Sequence, residues 1–424
     1  MKILCHMPTL RQHTCGLSNR AVHFASALEA HGHAVTFTVR EDKTDVQGDF
    51  IAGMRLEKVS ITLPVSLHWS LQALRRRLAA GRLVHCLSDE HELFISCQPE
   101  VVQAYRKRHP HRRILFVCGG TTLLHDSTEA AAQASSGAPR RLAFALDRWL
   151  KRCNEAGAFE AADLCVFDSH TTRRCVVELY GANPKKCHTV YGGIDAAYHR
   201  PPTTEQRASA RAGLGLPSDA LVLAWTGRLS PEKNLGLFIR AVQRCRHLPA
   251  RVFLVGDGPE RARLQALCKS VNLDGVVTFV GAVPDVRPYL YAADVFVFPS
   301  VGESFGGSLA EAMACGLPCI ALQGDGRHIM NASEEVFGAT ECGVLVSSGA
   351  PAALAAGIDH LASAPAHRRA LGRLASSRAR ETFSWSRGGR RLCELVDGLF
   401  NERSIGEVSR AAKTSGAQVV PGAA

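Results

Sequence analysis

The sequence lacks several patterns that identify common classes of protein. Its fifteen cysteines include no C-x-x-C pair, so neither a zinc ribbon nor a dithiol redox motif is indicated. No stretch approaches the ~18 consecutive apolar residues of a membrane-spanning helix. The phosphate-binding loop G-x-x-x-x-G-K-S/T does not occur either, which counts against an ATPase.

The start of the chain also lacks the apolar core of a secretory signal peptide. The segment "MKILCHMPTLRQ" contains too short an apolar run for that purpose and better fits a first buried strand. We therefore expect a cytoplasmic protein. Peripheral contact with the inner face of the membrane stays open.

The composition is that of an ordinary globular protein with a basic balance. The 424 residues, 46% hydrophobic and 21% charged, are enough for two or three domains. The formal net charge of +11 suits a protein that handles phosphorylated ligands or rests on an anionic surface. Basicity alone does not distinguish these partners.

The first 40 residues have the order strand, helix, strand. "KILCHM" and "HAVTFTV" are short apolar or β-branched runs, and apolar residues recur between them at helical spacing until Gly32. This βαβ order predicts a parallel sheet. Further strands are predicted at "RILFVC", "DLCVFDS" and "CHTVYGG" (residues 113–118, 163–169 and 187–193).

A second series of strands follows the glycine- and proline-rich connector "GGIDAAYHRPP". Its predicted strands are "ALVLAWTG", "ARVFLVGDG", "GVVTFVG", "DVFVFPS", "LPCIAL" and "CGVLV". The sequence therefore predicts two doubly wound parallel sheets, which bind ligands at the carboxyl ends of their strands. The terminal stretch "SIGEVSRAAKTSGAQVVPGAA" lacks periodicity and is predicted to be a disordered tail.

Two glutamates flank a glycine pair in "VGESFGGSLAEAMACGLPCIAL" (residues 301–322). If the intervening residues were all helical, Glu303 and Glu311 would lie about 12 Å apart along the axis, farther than paired catalytic carboxylates, which are ~5 to 9.5 Å apart. Gly306 and Gly307 allow a ligand to approach the backbone at a helix N-terminus, which favours anions. The segment indicates either an extended, partly anionic ligand or acidic residues placed for the helix dipole.

Two cations follow the first strand of the second series. "LAWTGRLSPEKNLGLFIRA" turns at Gly227 and places Arg228 and Lys233 before an amphipathic helix. Arg binds phosphate oxygens in a bidentate manner and Lys supplies a point charge, so the pair suits a diphosphate. A solvated charged loop is the alternative.

Two other segments invite a ligand interpretation. "FLVGDGPERARLQAL" has Gly256 and Gly258, but Arg261 replaces the third glycine of the dinucleotide fingerprint, so a tight turn explains the segment equally well. "SDEHEL" (residues 88–93) contains metal-ligand side chains, but consecutive ligands on one short loop seldom converge. The sequence therefore predicts no metal site.

Four segments, in this order and spacing, resemble the donor half of the family 4 retaining glycosyltransferases. They are "GRLSPEKN", "VGDGP", "AADVFVFPS" and "ESFGGSLAEAMACGLPCIA", which lie within residues 227–321. The resemblance implies the α/β GT-B fold, in which two Rossmann-like domains with doubly wound parallel sheets face each other across a cleft. The implied parts are residues 1–197 on the acceptor side, 198–385 on the nucleotide-sugar side, a helix at 386–403 that crosses back, and the tail at 404–424.

The same resemblance implies roles for individual residues. Arg228 and Lys233 would neutralise a diphosphate and, with Glu303, form the catalytic group, while Glu311 would bind the ribose hydroxyls. The implied donor contacts are Gly16, Gly227, Gly258, Ser304, Phe305, Gly306, Gly307, Ser308, Leu309 and Glu311. Members of this family usually retain the sugar configuration without an established enzyme nucleophile, so the implied roles are electrostatic, and neither a divalent metal nor another cofactor is required.

The first half of the chain resembles the family more loosely. Gly16 matches a glycine loop that meets the donor phosphate in the family, although Cys15 replaces the usual preceding glycine. A His-Gly pair often follows a strand near position 119, where this sequence reads "FVCGGTTLLHD". His125 is a candidate substitute.

The implied reaction moves a sugar from a UDP- or GDP-sugar to a glycan, lipid-linked or small-molecule acceptor, in polysaccharide or glycoconjugate biosynthesis. A sugar-nucleotide epimerase or hydrolase of the same fold stays open. So does a non-catalytic protein whose segment "LQALRRRLAAGRLVH" lies on anionic lipid. That segment places Arg75, Arg76, Arg77 and Arg82 near Leu71, Leu74, Leu78 and Leu83. No nucleic-acid recognition motif accompanies the charge, so nucleic acid is not an expected partner.

Overall fold

The computed structural model of the chain describes residues 1–7, 16–44, 50–61, 72–122, 138–217, 219–326, 328–338 and 342–414. These residues form two α/β domains, each built on a mostly parallel sheet, and a separate two-stranded ribbon. The predicted fold class, α/β with two doubly wound parallel sheets, is confirmed.

The first domain has an eight-stranded sheet in the order β3–β4–β2–β1–β5–β6–β7–β8. Its strands are β1 (Lys2–Met7), β2 (Ala34–Arg40), β3 (Phe50–Ile51), β4 (Met54–Val59), β5 (Leu93–Ser96), β6 (Arg113–Cys118), β7 (Leu164–Phe167) and β8 (Cys187–Thr189). Its helices are α1 (Gly16–Ala30), α2 (Gln72–His85), α3 (Pro99–Arg108), α4 (Ala138–Ala161) and α5 (His170–Tyr180). All neighbouring strands are parallel except β3 and β4, a hairpin whose turn residues Ala52 and Gly53 both have positive φ.

The second domain has a six-stranded parallel sheet in the order β11–β10–β9–β12–β14–β16. Its strands are β9 (Leu221–Thr226), β10 (Ala250–Val255), β11 (Val277–Gly281), β12 (Val295–Phe298), β14 (Cys319–Leu322) and β16 (Val344–Val346), and β13 (Gly302–Glu303) pairs with β15 (Met330–Asn331) to form the ribbon. Its helices are α6 (Thr204–Gly213), α7 (Leu235–Arg244), α8 (Arg261–Ser270), α9 (Arg287–Ala292), α10 (Gly307–Ala314), α11 (Ser333–Phe337), α12 (Pro351–Ser363) and α13 (Pro365–Thr382).

The strands that the sequence predicts in both series are all present. They are recognisable because parallel strands are covered by helices on both faces and are therefore continuous apolar runs, as in β9, where every residue is buried. The sequence prediction misses β3, β4, β5 and the ribbon. These are short or polar segments, which do not form long apolar runs.

Helix α14 (Trp385–Thr414) follows the second domain and packs against α1 of the first. Trp385 stacks on His23 with ring centroids 4.4 Å apart, and the Cys393 thiol donates to the Ala27 carbonyl (3.6 Å). The helix continues to Thr414, beyond the predicted bound at residue 403, and residues 415–424 lie outside the described residues. The disordered tail at 404–424 stays a prediction. A helix that packing has already nucleated extends at little cost per residue, and a search for hydrophobic periodicity does not detect this.

Helix α2 carries the basic segment that the sequence singles out. Arg75, Arg76 and Arg77 are exposed, whereas Leu83 is buried against the first domain and Leu71 lies outside the described residues. Among the described helices, none combines the length and the apolar composition needed to span a bilayer.

Candidate functional site

Two turns meet at the carboxyl edge of the second sheet, one after β9 and one after β10. The Gly227 N–H donates to the Val255 carbonyl (2.9 Å), and the two turns pack backbone to backbone. A Cβ at Gly256 would lie 1.8 Å from the Gly227 oxygen, and one at Gly258 would lie 2.4 Å from the Leu229 oxygen. The close packing of the two turns therefore requires glycine at positions 256 and 258. This agrees with the interpretation of the segment as a tight turn.

This packing places Arg228 on the surface of the edge. Arg228 is exposed, and no hydrogen bond or ion pair engages its guanidinium within the described part of the chain. Lys233 ends a one-turn 3-10 helix (Pro231–Lys233) after the same strand and forms an ion pair with Glu303. The edge thus presents one cation without a protein partner and one that is already neutralised.

The loop that carries Glu303 is held by the ribbon and by one buried amide. Asn331 donates to the Ser300 and Leu322 carbonyls (2.8 and 3.1 Å), and its side-chain oxygen accepts from the Ser333 N–H (3.1 Å). These contacts fix the position of Glu303 relative to Lys233. Sequence reasoning misses Asn331, since its partners belong to other segments and no motif marks them.

The glycine pair begins helix α10. Gly306 has φ 94°, and a Cβ there would lie 3.2 Å from the Phe298 ring, so this position favours glycine. A Cβ at Gly307 would meet nothing within 4 Å, so space is open on that side. The first N–H groups of the helix, from Gly307 onward, have no intrahelical acceptor and carry the positive end of the dipole. This geometry suits an anion.

Glu311 lies one turn farther along α10 and is half-buried. No hydrogen bond or ion pair engages its carboxylate within the residues that the structure describes. Burial alone raises its pKa to about 7. Buried carboxylates are normally satisfied by donors, and this one therefore needs a partner that the protein does not supply.

Two other predicted donor residues use their side chains elsewhere. Leu309 is fully buried in the core of the second domain, and Phe305 packs edge-on against Phe383 with ring centroids 5.1 Å apart. Only their backbone groups could meet a ligand. Ser308 is partly exposed next to Gly307 and stays a candidate contact.

The side chain of Ser304 contacts the first domain. Its hydroxyl lies 2.9 Å from the Gly119 carbonyl and 3.2 Å from a carboxylate oxygen of Asp168, and its own carbonyl accepts from the Thr172 hydroxyl (3.1 Å). Asp168 forms a buried ion pair with Arg20 of α1. Burial lowers the pKa of Arg20 to about 10, so the guanidinium still carries its charge at neutral pH.

A second contact between the domains caps the N-terminus of α5. The Glu335 carboxylate, on α11, accepts from the N–H groups of His170 (2.7 Å) and Thr171 (2.8 Å) and from the Thr171 hydroxyl (2.8 Å). A carboxylate at a helix N-terminus is stabilised by the dipole. Sequence reasoning misses Glu335, Asp168 and Arg20, because no local pattern shows that two domains meet there.

The remaining predicted residues belong to the first domain. Gly16 begins α1, one helical turn before Arg20, and His125 lies outside the described residues. In the segment 88–93, Glu90 pairs with Lys2 (3.0 Å) and Asp89 lies 3.4 Å from His109. The acidic groups of that segment thus have protein partners, since Glu92 also accepts from the Lys2 N–H (3.0 Å).

Family comparisons match both halves of the chain. Residues 14–198 match the model described as Glycosyltransferase Family 4, and residues 220–364 match the model described as Glycosyl transferases group 1. The chain belongs to glycosyltransferase family 4. The predicted resemblance is therefore confirmed.

Curated members of the family are similar over more than half of this chain. The D-inositol 3-phosphate glycosyltransferase of Kineococcus radiotolerans is 33% identical over 266 residues, which are 59% of this chain and 60% of that protein. The protein of the same name from Mycobacterium bovis is 31% identical over 283 residues, which are 64% of this chain and 55% of that protein. Each match thus spans less than two thirds of the relative.

Solved structures share the fold over nearly the whole chain. Sucrose-phosphate synthase from Thermosynechococcus elongatus superposes with a TM-score of 0.76 at 21% identity, covering 95% of this chain and 99% of that one. HepE of Anabaena, in complex with UDP and glucose, superposes with a TM-score of 0.71 at 18% identity, covering 94% and 99%. At these identities the likeness concerns the fold alone.

Proposed function

We propose that this protein is a retaining, metal-independent glycosyltransferase. It transfers a sugar from a nucleotide-diphosphate sugar to a glycan, lipid-linked or small-molecule acceptor in polysaccharide or glycoconjugate biosynthesis. The observation that carries the proposal is the half-buried carboxylate of Glu311, which has no partner within the described residues and lies one helical turn beyond an open, anion-favouring helix N-terminus. A nucleotide sugar offers both ribose hydroxyls and a diphosphate.

The groups around Glu311 suit the remaining parts of such a donor. Glu311 is assigned to the ribose hydroxyls, the N-terminus of α10 and Arg228 to the diphosphate, and Lys233 with Glu303 to the junction of diphosphate and sugar. An exposed guanidinium without a protein partner keeps its fork of donors for phosphate oxygens. Glu311 lies on α10 and Lys233 on the 3-10 helix that follows β9, and two separate elements suit an extended ligand.

The same groups support a mechanism by electrostatic stabilisation. Negative charge grows on the leaving diphosphate oxygen as the glycosidic bond breaks, while the sugar acquires oxocarbenium character. Arg228, Lys233 and the helix N-terminus place positive charge where that negative charge grows. Glu303 positions the sugar, and its negative charge partly neutralises the Lys233 ammonium. No covalent intermediate and no metal ion is assigned.

A donor screen followed by a product assay tests the proposal. Thermal shift across UDP-, GDP- and ADP-sugars should show stabilisation by one donor class, because only a bound ligand raises the melting temperature by mass action. UDP-glucose is the first donor to test, since HepE was solved with UDP and glucose, and D-inositol 3-phosphate is the first acceptor, since the curated relatives carry its name. Proton NMR of fresh product should show the donor's anomeric configuration.

Incubation with the donor alone separates transfer from the competing reactions. An epimerase would change the sugar and a hydrolase would release it without an acceptor, whereas a transferase should consume donor rapidly only when an acceptor is present. Rapid conversion of donor alone, unchanged by any acceptor, would contradict transfer.

We further propose that the first domain rests on an anionic membrane surface. Helices α2 and α4 pack together and expose large apolar side chains: Leu74 and Leu78 on α2, and Leu142, Leu146 and Trp149 on α4. Leu142 is 74% exposed and Trp149 59%, beside the exposed Arg75, Arg76 and Arg77. Apolar side chains flanked by arginines suit the interface of anionic lipid.

Vesicle sedimentation tests this contact. The protein should pellet with phosphatidylglycerol vesicles and not with phosphatidylcholine vesicles, and Leu78→Ser with Trp149→Ser should abolish pelleting. Equal binding to both lipids, or full binding by the double variant, would contradict it.

A further inference from the structure

Two imidazoles and a carboxylate come together on the first domain, far from the candidate donor site. His31 and His33 flank Gly32 in the turn between α1 and β2, and Asp397 lies on α14. One ligand atom from each of the three side chains lies within 4.8 Å of the other two. Among the residues that the structure describes, this is the only such group of three metal-ligand side chains.

The chemistry of these donors suits a divalent transition metal. The His31 Nε2 lies 2.9 Å from an Asp397 carboxylate oxygen, and the two side chains are 47% and 44% exposed, so an ion can enter from solvent. The His33 Nε2 is buried and has no hydrogen-bond partner within the described part of the chain. The hydrogen bond between His31 and Asp397 leaves the His33 imidazole without a role, whereas an ion shared by the three side chains would use one of its ring nitrogens.

We propose that His31, His33 and Asp397 bind a late first-row divalent metal ion, with Zn²⁺ as the probe. Imidazole nitrogen and carboxylate oxygen are common zinc ligands, and three protein ligands leave a fourth position for water. Gly32, at φ 90°, allows the sharp turn that brings two histidines on either side of it to the same ion.

The position of the cluster indicates a structural role. His33 immediately precedes β2, at the amino edge of the sheet, whereas α1 begins at the opposite edge near Arg20. The fifteen residues of α1 span about 22 Å, so an ion at this end does not reach the donor site. It would join the two histidines to the C-terminal helix, one turn beyond the point where Cys393 contacts Ala27.

Isothermal titration calorimetry with ZnCl₂ tests the site. The full chain is first stripped of bound metal with EDTA and then desalted. We expect one saturable equivalent of Zn²⁺, with an affinity that falls at least tenfold in each of His31→Ala, His33→Ala and Asp397→Asn. Even loss of an outer-sphere partner typically weakens binding by about 10- to 100-fold. Zn²⁺ should also raise the melting temperature of the wild type and not of these variants. Circular dichroism confirms that each variant is folded.

The chain offers two matched controls. His247 forms the same kind of pair with Asp359 (3.2 Å) but belongs to no such cluster, so His247→Ala should bind Zn²⁺ like the wild type. Cys86 and Cys153 are exposed thiols, so Cys86→Ser with Cys153→Ser should retain the saturable equivalent. No saturable binding, unchanged affinity in the three ligand variants, or loss of binding in the serine variant would overturn the proposal.

Discussion

The Lys233 ammonium forms an ion pair with the Glu303 carboxylate, and their side chains are only 17% and 19% exposed. Lys233 also lies 4.0 Å from Glu232, so two carboxylates surround the cation at the proposed diphosphate site. An incoming diphosphate must therefore share Lys233 with Glu303. As negative charge grows on the leaving diphosphate, the Lys233 ammonium is expected to interact more strongly with the diphosphate and less strongly with Glu303.

Replacing Glu303 should separate nucleotide binding from turnover. In Glu303→Ala the negative charge next to Lys233 is lost, so we expect free nucleoside diphosphate to bind as tightly as before or more tightly. Turnover should fall, because the contact proposed for the donor sugar is removed. Calorimetry with the nucleoside diphosphate and steady-state kinetics check the two effects. A large loss of affinity for the nucleoside diphosphate would indicate that Glu303 contacts the nucleotide and not the donor sugar.

Arg228→Ala and Lys233→Ala should lower kcat. Both cations are proposed to interact more strongly with the departing diphosphate than with the intact donor. Removing one preorganised charge donor typically costs about 10²- to 10³-fold in rate. Arg240 is exposed on α7 and has no partner within the described residues, so Arg240→Ala is the matched control and should turn over normally. A normal kcat in both Arg228→Ala and Lys233→Ala would contradict the electrostatic mechanism.

Donor binding should depend on the ionisation of Glu311. Its pKa is raised to about 7 in the absence of ligand, and a carboxylate accepts ribose hydroxyls better than a neutral acid does. Donor KM should therefore rise as the pH falls below about 7, and Glu311→Gln should remove this dependence. Loss of the charged hydrogen bonds should cost roughly 1.5 to 3 kcal/mol of donor affinity. A pH profile of KM that is identical in the variant would contradict the ribose assignment.

The same carboxylate predicts a pH-dependent stability. A carboxyl whose pKa is higher in the folded chain destabilises the fold increasingly as the pH rises from its unfolded value of 4.5 to about 7. Glu311→Gln should therefore stabilise the unliganded protein at pH 8 and change little at pH 4. The gain is at most about 3 kcal/mol, and less because the side chain is only half-buried. Thermal unfolding at the two pH values measures it.

The sequence predicts the two sheets well because their strands are buried on both faces and therefore form apolar runs. It also singles out Arg228, Gly306 and Glu311, each of which belongs to a short contiguous motif, and their contact with a donor stays a prediction. It assigns Phe305 and Leu309 to the donor, although their side chains pack in the core. A motif shows that a position matters without showing whether its side chain or its backbone is used.

Apart from the helix expected to cross back at 386–403, the sequence does not predict the contacts between domains. Glu335 and Thr171 are 164 residues apart, and neither belongs to a motif. Ser304 is a similar case, since the motif indicates a donor contact and the structure shows a hydroxyl that meets Gly119 and Asp168. Such pairings follow from the relative placement of two folded domains, which no local pattern encodes.

Glu335→Ala should weaken the association of the two domains. The variant loses a carboxylate that accepts three hydrogen bonds at the N-terminus of α5, and charged hydrogen bonds contribute about 1.5 to 3 kcal/mol each at most. We expect a lower melting temperature and a larger radius of gyration by small-angle X-ray scattering. The neighbouring Glu334 is exposed, so Glu334→Ala is the control. An unchanged radius and melting temperature in Glu335→Ala would show that the domains are held together by other contacts.

Transferase activity should survive EDTA. In the proposed mechanism Arg228, Lys233 and the first N–H groups of α10 supply the positive charge that a divalent metal otherwise provides at a diphosphate. The cluster of His31, His33 and Asp397 lies at the far end of α1, about 22 Å from its start, so stripping an ion there should lower the melting temperature without lowering kcat at moderate temperature. Initial rates with and without EDTA, measured well below the melting temperature, check this. Complete loss of activity that Mg²⁺ or Mn²⁺ restores would mean that a metal, and not these side chains, neutralises the leaving group.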